Sequence, residues 1–69
     1  MTKQEVQNAV AGKQKMVWND PIPIPENDYT VQKVWNLNEE TAMVQYGEEG
    51  DKYLSEAMVF LTELSIKAD

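Results

Sequence analysis

The side chains that could carry chemistry in this sequence are carboxylates, hydroxyls and lysines, because the chain contains neither histidine nor cysteine. Two pairs of adjacent glutamates, Glu39-Glu40 and Glu48-Glu49, are the first candidates for acid–base catalysis. Neighbours in an extended segment point to opposite sides, whereas catalytic carboxylates must converge in a desolvated cleft. We therefore interpret both pairs as solvated loop charge and expect no enzymatic activity.

The composition offers few residues that could coordinate a metal ion. Zinc sites of the thiolate or imidazole kind need cysteine or histidine. The acidic loop at residues 47–51, Gly-Glu-Glu-Gly-Asp, offers oxygens but lacks the spaced aspartates and the terminal glutamate of an EF-hand. We expect no metal site and no cofactor.

Aromatic side chains beside carboxylates give the best binding hypothesis. Trp18 directly precedes a proline-rich segment, and Trp35 lies near the end of the strand predicted after it. Asp20, Glu26 and Asp28 lie between the two tryptophans. Aromatic faces next to carboxylates suit a peptide that carries lysine or arginine. We predict a groove formed by these five residues, against the alternative that the aromatics only build the core.

The charge balance limits the kind of partner. Twelve acidic residues face six lysines, arginine is absent, and the net charge is −6. Nucleic-acid-binding proteins usually present a basic patch, so we expect no binding to DNA or RNA. A cationic protein or basic peptide is the expected partner, which makes the chain a protein-interaction module or accessory subunit. The alternative is an acidic mimic that inhibits a nucleic-acid-binding protein.

Length and hydropathy place the chain in a simple class. Sixty-nine residues make one domain. No apolar run approaches the roughly 20 residues of a membrane span, and the first residues lack the apolar stretch of a signal peptide. We therefore expect no membrane association and a cytoplasmic location. Without disulfides or metals, the fold must rest on packing and backbone hydrogen bonds.

The beginning of the chain is expected to differ from the rest. Residues 1–14 are predicted to be a short helix or a disordered tail, and residues 15–69 the folded domain. Thr2 and Glu5 fit a capping box, and Gly12 could end the helix. A helix of about three turns is marginal unless it makes tertiary contacts.

Five short strands are predicted after the helix, at residues 15–19, 29–37, 41–46, 57–61 and 64–67. The apolar spacing within the second strand changes near Gln32 and Lys33, which indicates a β-bulge. A second change after Leu61 indicates a 3₁₀ turn at Thr62 and Glu63. The expected core comprises Val31, Val34, Val44, Val59, Leu61 and Leu64.

The first strand is followed by a long loop that contains Pro21-Ile22-Pro23-Ile24-Pro25. Alternating prolines cannot donate hydrogen bonds to a sheet, so the segment is predicted to be an extended loop. We expect its two isoleucines to pack back onto the sheet.

This order of elements resembles the SH3-like superfold, which includes SH3, Tudor and KOW-type domains. The resemblance covers residues 15–67 and implies an all-β fold, a small five-stranded SH3-like barrel with a 3₁₀ turn before the last strand. It is a likeness of architecture and carries no function with it. The Ala-Leu-Tyr-Asp-Tyr run and the Trp-Trp pair of signalling SH3 domains are missing here.

A narrower resemblance covers most of the chain. It rests on residues 18–21, 23–25, 27–29, 45–47, 56–57 and 59–61, together with Val31 and Glu63. These segments look like a group of small uncharacterised proteins from gut Bacteroides species. The resemblance implies the same barrel and no known activity.

Overall fold

Five antiparallel strands form one sheet in the order β4-β3-β2-β1-β5 in the computed structural model, which describes residues 1–67. The elements are helix α1 (Lys3–Ala11), strands β1 (Met16–Trp18), β2 (Thr30–Trp35), β3 (Thr41–Tyr46) and β4 (Ser55–Phe60), the 3₁₀ turn η1 (Leu61–Glu63) and strand β5 (Leu64–Ile66). The five predicted strands and the 3₁₀ turn are confirmed, with ends displaced by one or two residues at most sites. No helix among the described residues is long and apolar enough to cross a membrane.

The sheet is open, which corrects the closed barrel expected from the sequence. β4 and β5 are its two edges, and no ladder joins them within residues 1–67. The three residues of η1 nevertheless connect these edges and span roughly 6 Å, at about 2 Å per residue. In a flat sheet the same edges would lie about 19 Å apart, which is four spacings of about 4.8 Å. The sheet must therefore curl strongly, so that its edges approach each other at η1 without pairing.

The predicted β-bulge is present in β2. Its register against β3 passes from Val31 opposite Tyr46 to Lys33 opposite Gln45, so one residue of β2 has no partner. The extra residue lets Val31 and Val34, which are three apart, both turn toward the core. A regular strand would place them on opposite faces.

The core lies on one face of the curled sheet. Its buried members are Val6, Ala9, Met16, Val31, Ala42, Val44, Val59, Leu61 and Leu64. Five of the six core residues predicted from the sequence are among them, and Val34 is partly buried against the cluster. Met58 and Phe60 of β4 lie on its outer side and are exposed.

Helix α1 belongs to the core, so the structure selects the helix over the disordered tail. Val6 and Ala9 are 0% and 1% exposed and lie in the same cluster as the strand residues. The capping box is present, because Thr2 and Glu5 exchange backbone-to-side-chain hydrogen bonds. The amino group of Met1 donates to the carbonyl oxygen of Leu61 in η1. The helix is thus tied to the turn that joins the two sheet edges.

The proline-rich loop does not pack as expected. Ile22 and Ile24 are 84% and 54% exposed, so the prediction that they pack onto the sheet is wrong. Their backbone amides are held instead, by Oδ1 of Asp20 and the hydroxyl of Tyr29 respectively. The loop bends at residues 21–22 and turns at residues 24–27, where the Asn27 amide donates to the Ile24 carbonyl oxygen, and both isoleucine side chains are left in solvent.

Four of residues 1–67 have a positive φ, namely Lys13, Asn36, Gly47 and Gly50, and two of them, Gly47 and Lys13, form a contrast. Gly47 has a φ of 145°, and a Cβ there would lie 2.6 Å from Cδ2 of Leu54. Lys13 has a φ of 54°, in the left-handed region where a side chain is strained. One site therefore uses glycine and the other does not.

Replacement of Val6 by alanine tests whether α1 belongs to the core. We expect V6A to lower the free energy of unfolding by about 1–3 kcal/mol, because it deletes fully buried methyl groups. V10A, the same change on the same helix at a residue 51% exposed, should stay within about 0.5 kcal/mol. Equal effects of the two variants in urea denaturation would show that the helix is not docked.

Gly47 and Lys13 should respond oppositely to substitution. Gly47→Ala is expected to destabilise by about 2–4 kcal/mol, through backbone strain and the clash with Leu54. Lys13→Gly is expected to stabilise by about 0.5–1 kcal/mol, because glycine adopts this φ without strain. Thermal denaturation of both variants measures this, and a Lys13→Gly protein that melts below wild type would contradict it.

Candidate functional site

Three aromatic rings meet at one end of the sheet, where β1 ends, β2 begins and β3 ends. Trp18, Tyr29 and Tyr46, here called the aromatic trio, have ring centroids 5.1–5.7 Å apart. The two tyrosines are stacked at 18°, and Trp18 meets both edge-on. All three rings are partly buried, and two of them, Trp18 and Tyr46, also pack against the core. The trio therefore covers one end of the core and presents its outer surface to solvent.

Trp18 is fixed in place by the 3₁₀ turn. Its indole Nε1 donates to Oε1 of Glu63 at 3.2 Å. The next residue, Asn19, donates from its backbone N and its Nδ2 to the Glu63 carbonyl oxygen, and from Nδ2 to the Ser65 hydroxyl. These bonds tie the start of the long first loop to η1 and β5, so the indole has a defined orientation.

A cleft of about 650 Å³ opens beside Trp18, here called the acidic cleft. Asp20, Glu26 and Asp28 line it together with the indole and Tyr29. Its remaining lining residues are Val17, Asn19, Pro23, Asn27, Thr30 and Lys67. The structure thus brings together four of the five residues that the sequence predicted for a groove.

The fifth residue, Trp35, lies elsewhere. It stands at the far end of β2, about 20 Å along the strand from Tyr29 at roughly 3.3 Å per residue. Its cross-strand neighbours are Met43 and then Met58, which share the sheet face opposite the core. The strand that follows the loop begins at the cleft and carries Trp35 away from it, so the two tryptophans do not enclose one groove.

Two carboxylates of the acidic cleft are held by hydrogen bonds. Oδ1 of Asp20 accepts from the amide of Ile22 at 3.0 Å. Oδ1 of Asp28 accepts from the Thr30 hydroxyl at 2.6 Å and from its amide at 2.8 Å. The Thr30 hydroxyl bond, then the amide bond, holds the pKa of Asp28 below its ordinary value, and the positive charge of Lys67 lowers it further.

A second, smaller cleft of about 220 Å³ lies on the other side of the same turn. It shares Glu26, Asn27 and Asp28 with the acidic cleft and adds Tyr46, Tyr53 and the loop carboxylates Glu48 and Asp51. The turn at residues 26–28 therefore forms a ridge with carboxylates on both flanks. Five carboxylates, those of Asp20, Glu26, Asp28, Glu48 and Asp51, line the two clefts.

The geometry limits what the trio can bind. A cage for a methylated ammonium group needs rings that stand apart around the cation. Here the rings contact one another and leave no space between them. The trio can offer an aromatic surface on which a guanidinium or an alkyl stem rests, with carboxylates beside it to pair the charge.

Sequence reasoning missed Tyr29 and Tyr46 as members of this surface. Both flank strand ends, but nothing in a single sequence states that the ends of β1 and β3 meet across the start of β2. In an antiparallel sheet the end of β1, the start of β2 and the end of β3 lie at the same end of the sheet. The strand order therefore indicates that the three aromatic residues are near one another, but only the register shows that their rings are in contact.

Comparison of the chain with protein-family models, with curated proteins and with solved structures found no match. Within residues 1–67, no three histidine, cysteine, aspartate or glutamate side chains are grouped so that they could hold a metal ion.

Removal of the Thr30 hydroxyl should raise the pKa of Asp28. In the Thr30→Val variant we expect this pKa to move up toward the ordinary carboxyl value, because the strongest bond to the ionised form is lost. In the wild-type protein, the lowered pKa means that Asp28 contributes stability above its ordinary pKa and loses it as pH falls through the lowered one. The variant should therefore be less sensitive to acid.

NMR titration of the side-chain carboxyl carbons measures this shift. Glu5 is the internal control, because its pKa is lowered independently by the backbone and hydroxyl of Thr2 at the helix start. An unchanged Asp28 pKa in the variant would mean that Thr30 does not stabilise its charge.

Proposed function

We propose that this protein is an interaction module of the SH3-like superfold that binds a cationic segment of a partner protein in the acidic cleft. The strand order, the long first loop and the 3₁₀ turn before β5 support the assignment to the superfold. The open sheet is a departure from it, since closure between the edge strands is not made among the described residues.

The observation that carries the proposal is the convergence of Trp18, Asp20, Glu26 and Asp28 on one cleft. Residues separated by up to ten positions come together there because the loop leaves β1 and enters β2 at the same end of these two paired strands. An aromatic wall with three carboxylates around it complements a side chain that is both flat and positively charged. Arginine has this character, and a lysine with its alkyl stem has it in part.

The cleft is largely preorganised. Trp18 donates to Glu63 in η1, and Asp20 and Asp28 each accept a hydrogen bond from the backbone amide two residues further along the chain. Binding therefore orders few side chains, which lowers its entropic cost. Lys67 is the one positive residue of the lining, and its Nζ donates to the Thr30 hydroxyl. The lining keeps a net negative charge, from three carboxylates against one ammonium group.

In the alternative function, an acidic mimic of nucleic acid, the binding energy comes from the total negative charge of the surface. It predicts an affinity that falls steeply with salt and depends on carboxylates all over the surface. The cleft proposal predicts a localised dependence on three carboxylates and a contribution from the indole that persists in salt.

The test is a titration of ¹⁵N-labelled protein with an acetylated, amidated peptide of three Arg-Gly repeats, followed by NMR. We expect shifts centred on the Trp18 indole N–H and on the amides of the first loop. The D20N/E26Q/D28N variant should bind about ten-fold more weakly, as expected when charged hydrogen-bond partners are lost. Asparagine keeps the oxygen acceptors that hold the loop, so the variant should remain folded.

The matched control is E39Q/E40Q/E56Q, which removes the same charge from exposed residues outside the cleft. It should bind the peptide as the wild type does at an ionic strength of about 0.15 M. Equal weakening in both triple variants would favour the mimic, as would shifts spread over all acidic segments. A peptide of three Glu-Gly repeats should cause no shifts at the indole.

A further inference from the structure

A second cleft collects positive charge in this acidic protein. Three of the six lysines, Lys13, Lys15 and Lys33, line a cleft of about 340 Å³ between the end of α1 and the strands β1 and β2. We call it the lysine cleft. Its other lining residues are Val10, Gln14, Met16, Val31, Gln32 and Val34. Lysines that look scattered in the sequence are gathered by the fold.

We propose that the lysine cleft binds a small organic carboxylate with a short aliphatic tail. This site is separate from the acidic cleft and does not rest on the function proposed above, since the two clefts share no lining residue.

The local backbone explains why the lysines converge. After α1 the chain turns back, and the amides of Lys13 and Gln14 donate to the carbonyl oxygens of Val10 and Ala9. This turn brings Lys13 and Lys15 to the end of the helix. Lys33 comes directly after the β-bulge in β2 and lines the cleft from the side of that strand.

The floor of the cleft is apolar. Met16 and Val31 belong to the buried core, Val34 packs against it, and Val10 is 51% exposed on the helix side. An exposed valine beside a core edge leaves apolar surface in contact with water. An aliphatic tail laid on this floor would remove that surface from water.

The charges at the rim are only partly compensated. Lys15 pairs with Glu49 of the β3–β4 loop at 3.0 Å. Within residues 1–67, no carboxylate lies within ion-pair distance of Lys13 or Lys33. Among these residues, Lys13 and Lys33 therefore have ammonium groups without a carboxylate partner, and Gln14 is a further donor in the lining, whereas the side-chain amide of Gln32 donates to the Gly47 carbonyl oxygen.

The backbone at Lys13 is that of a helix cap. Its φ of 54° comes directly after the end of α1, and the amides of Lys13 and Gln14 donate to the carbonyl oxygens of Val10 and Ala9. These are the bonds of a Schellman motif, in which a residue in the left-handed conformation ends a helix. A lysine there retains strain that glycine would relieve, so K13G separates the stability of the cap from any binding by the side chain.

Volume and chemistry define the ligand. A space of 340 Å³ corresponds to about eleven water molecules at roughly 30 Å³ each. A carboxylate with a tail of about five carbons, which has roughly eight non-hydrogen atoms, fits within this space. The rim consists of lysines without arginine, which favours a point-like anionic head over one that needs a planar fork.

The test uses three probes with ¹⁵N-labelled full-length protein. Hexanoate carries both head and tail, acetate carries only the head, and 1-hexanol carries only the tail. We expect hexanoate to shift the amides of residues 10, 13–16 and 31–34, and to bind about ten-fold more tightly than either other probe. Equal binding of hexanol would reduce the site to an apolar depression, and equal binding of acetate would reduce it to diffuse charge. Either result would overturn the proposal.

Lysine variants separate ligand binding from stability. K13Q/K33Q should weaken hexanoate binding about ten-fold, whereas K3Q/K52Q, with the same change of charge outside the cleft, should not. K13G should melt at a higher temperature than wild type and yet bind hexanoate more weakly. Equal loss in the two double variants, or unchanged binding by K13G, would contradict a role for these lysines.

Discussion

The constraint on which this structure depends is the length of η1. Three residues connect the two outermost strands of a five-stranded sheet, which is possible only if the sheet curls until its edges approach. The curl gives the sheet an inner face, and helix α1 packs on that face, with the amino group of Met1 just before the helix bonded to the carbonyl oxygen of Leu61 in the turn. The same turn holds the Trp18 indole through Glu63. One short connection thus determines where the core lies and how the candidate site is oriented.

Local patterns predicted local structure well. Apolar spacing gave the strands, and its two irregularities gave the bulge near Gln32 and the 3₁₀ turn before β5, because each irregularity has one simple geometric cause. The capping box at Thr2 was readable for the same reason. Whether the barrel closes could not be predicted from the sequence. Closure depends on whether β4 and β5 exchange hydrogen bonds, and the sequence of neither strand determines the distance between them.

The candidate site was also predicted only as far as local sequence allowed. Asp20, Glu26 and Asp28 were predicted together with Trp18 because one loop carries them all. Trp35 failed to join them because proximity in the sequence was taken for proximity in space, although a strand of six residues separates its two ends by most of the molecule's width. Tyr29 and Tyr46 were missed for the opposite reason, since they are distant in sequence and stacked in space. Strand register determines both the separation of Trp35 from the cleft and the stacking of the two tyrosines. It depends on how separate segments pair, which no single segment specifies.

Net charge is a poor guide to local potential in this protein. A value of −6 describes the field far from the molecule, yet screening at physiological ionic strength acts over about 8 Å, less than half its smallest extent of 21 Å. Within that range the charged side chains nearest to a cleft dominate its potential. Asp20, Glu26 and Asp28 line one cleft, while Lys13 and Lys33 line the other. The two linings adjoin each other, since Val17 follows Met16 and Thr30 precedes Val31, so their opposite signs come from the side chains that each lining carries and not from the distance between them.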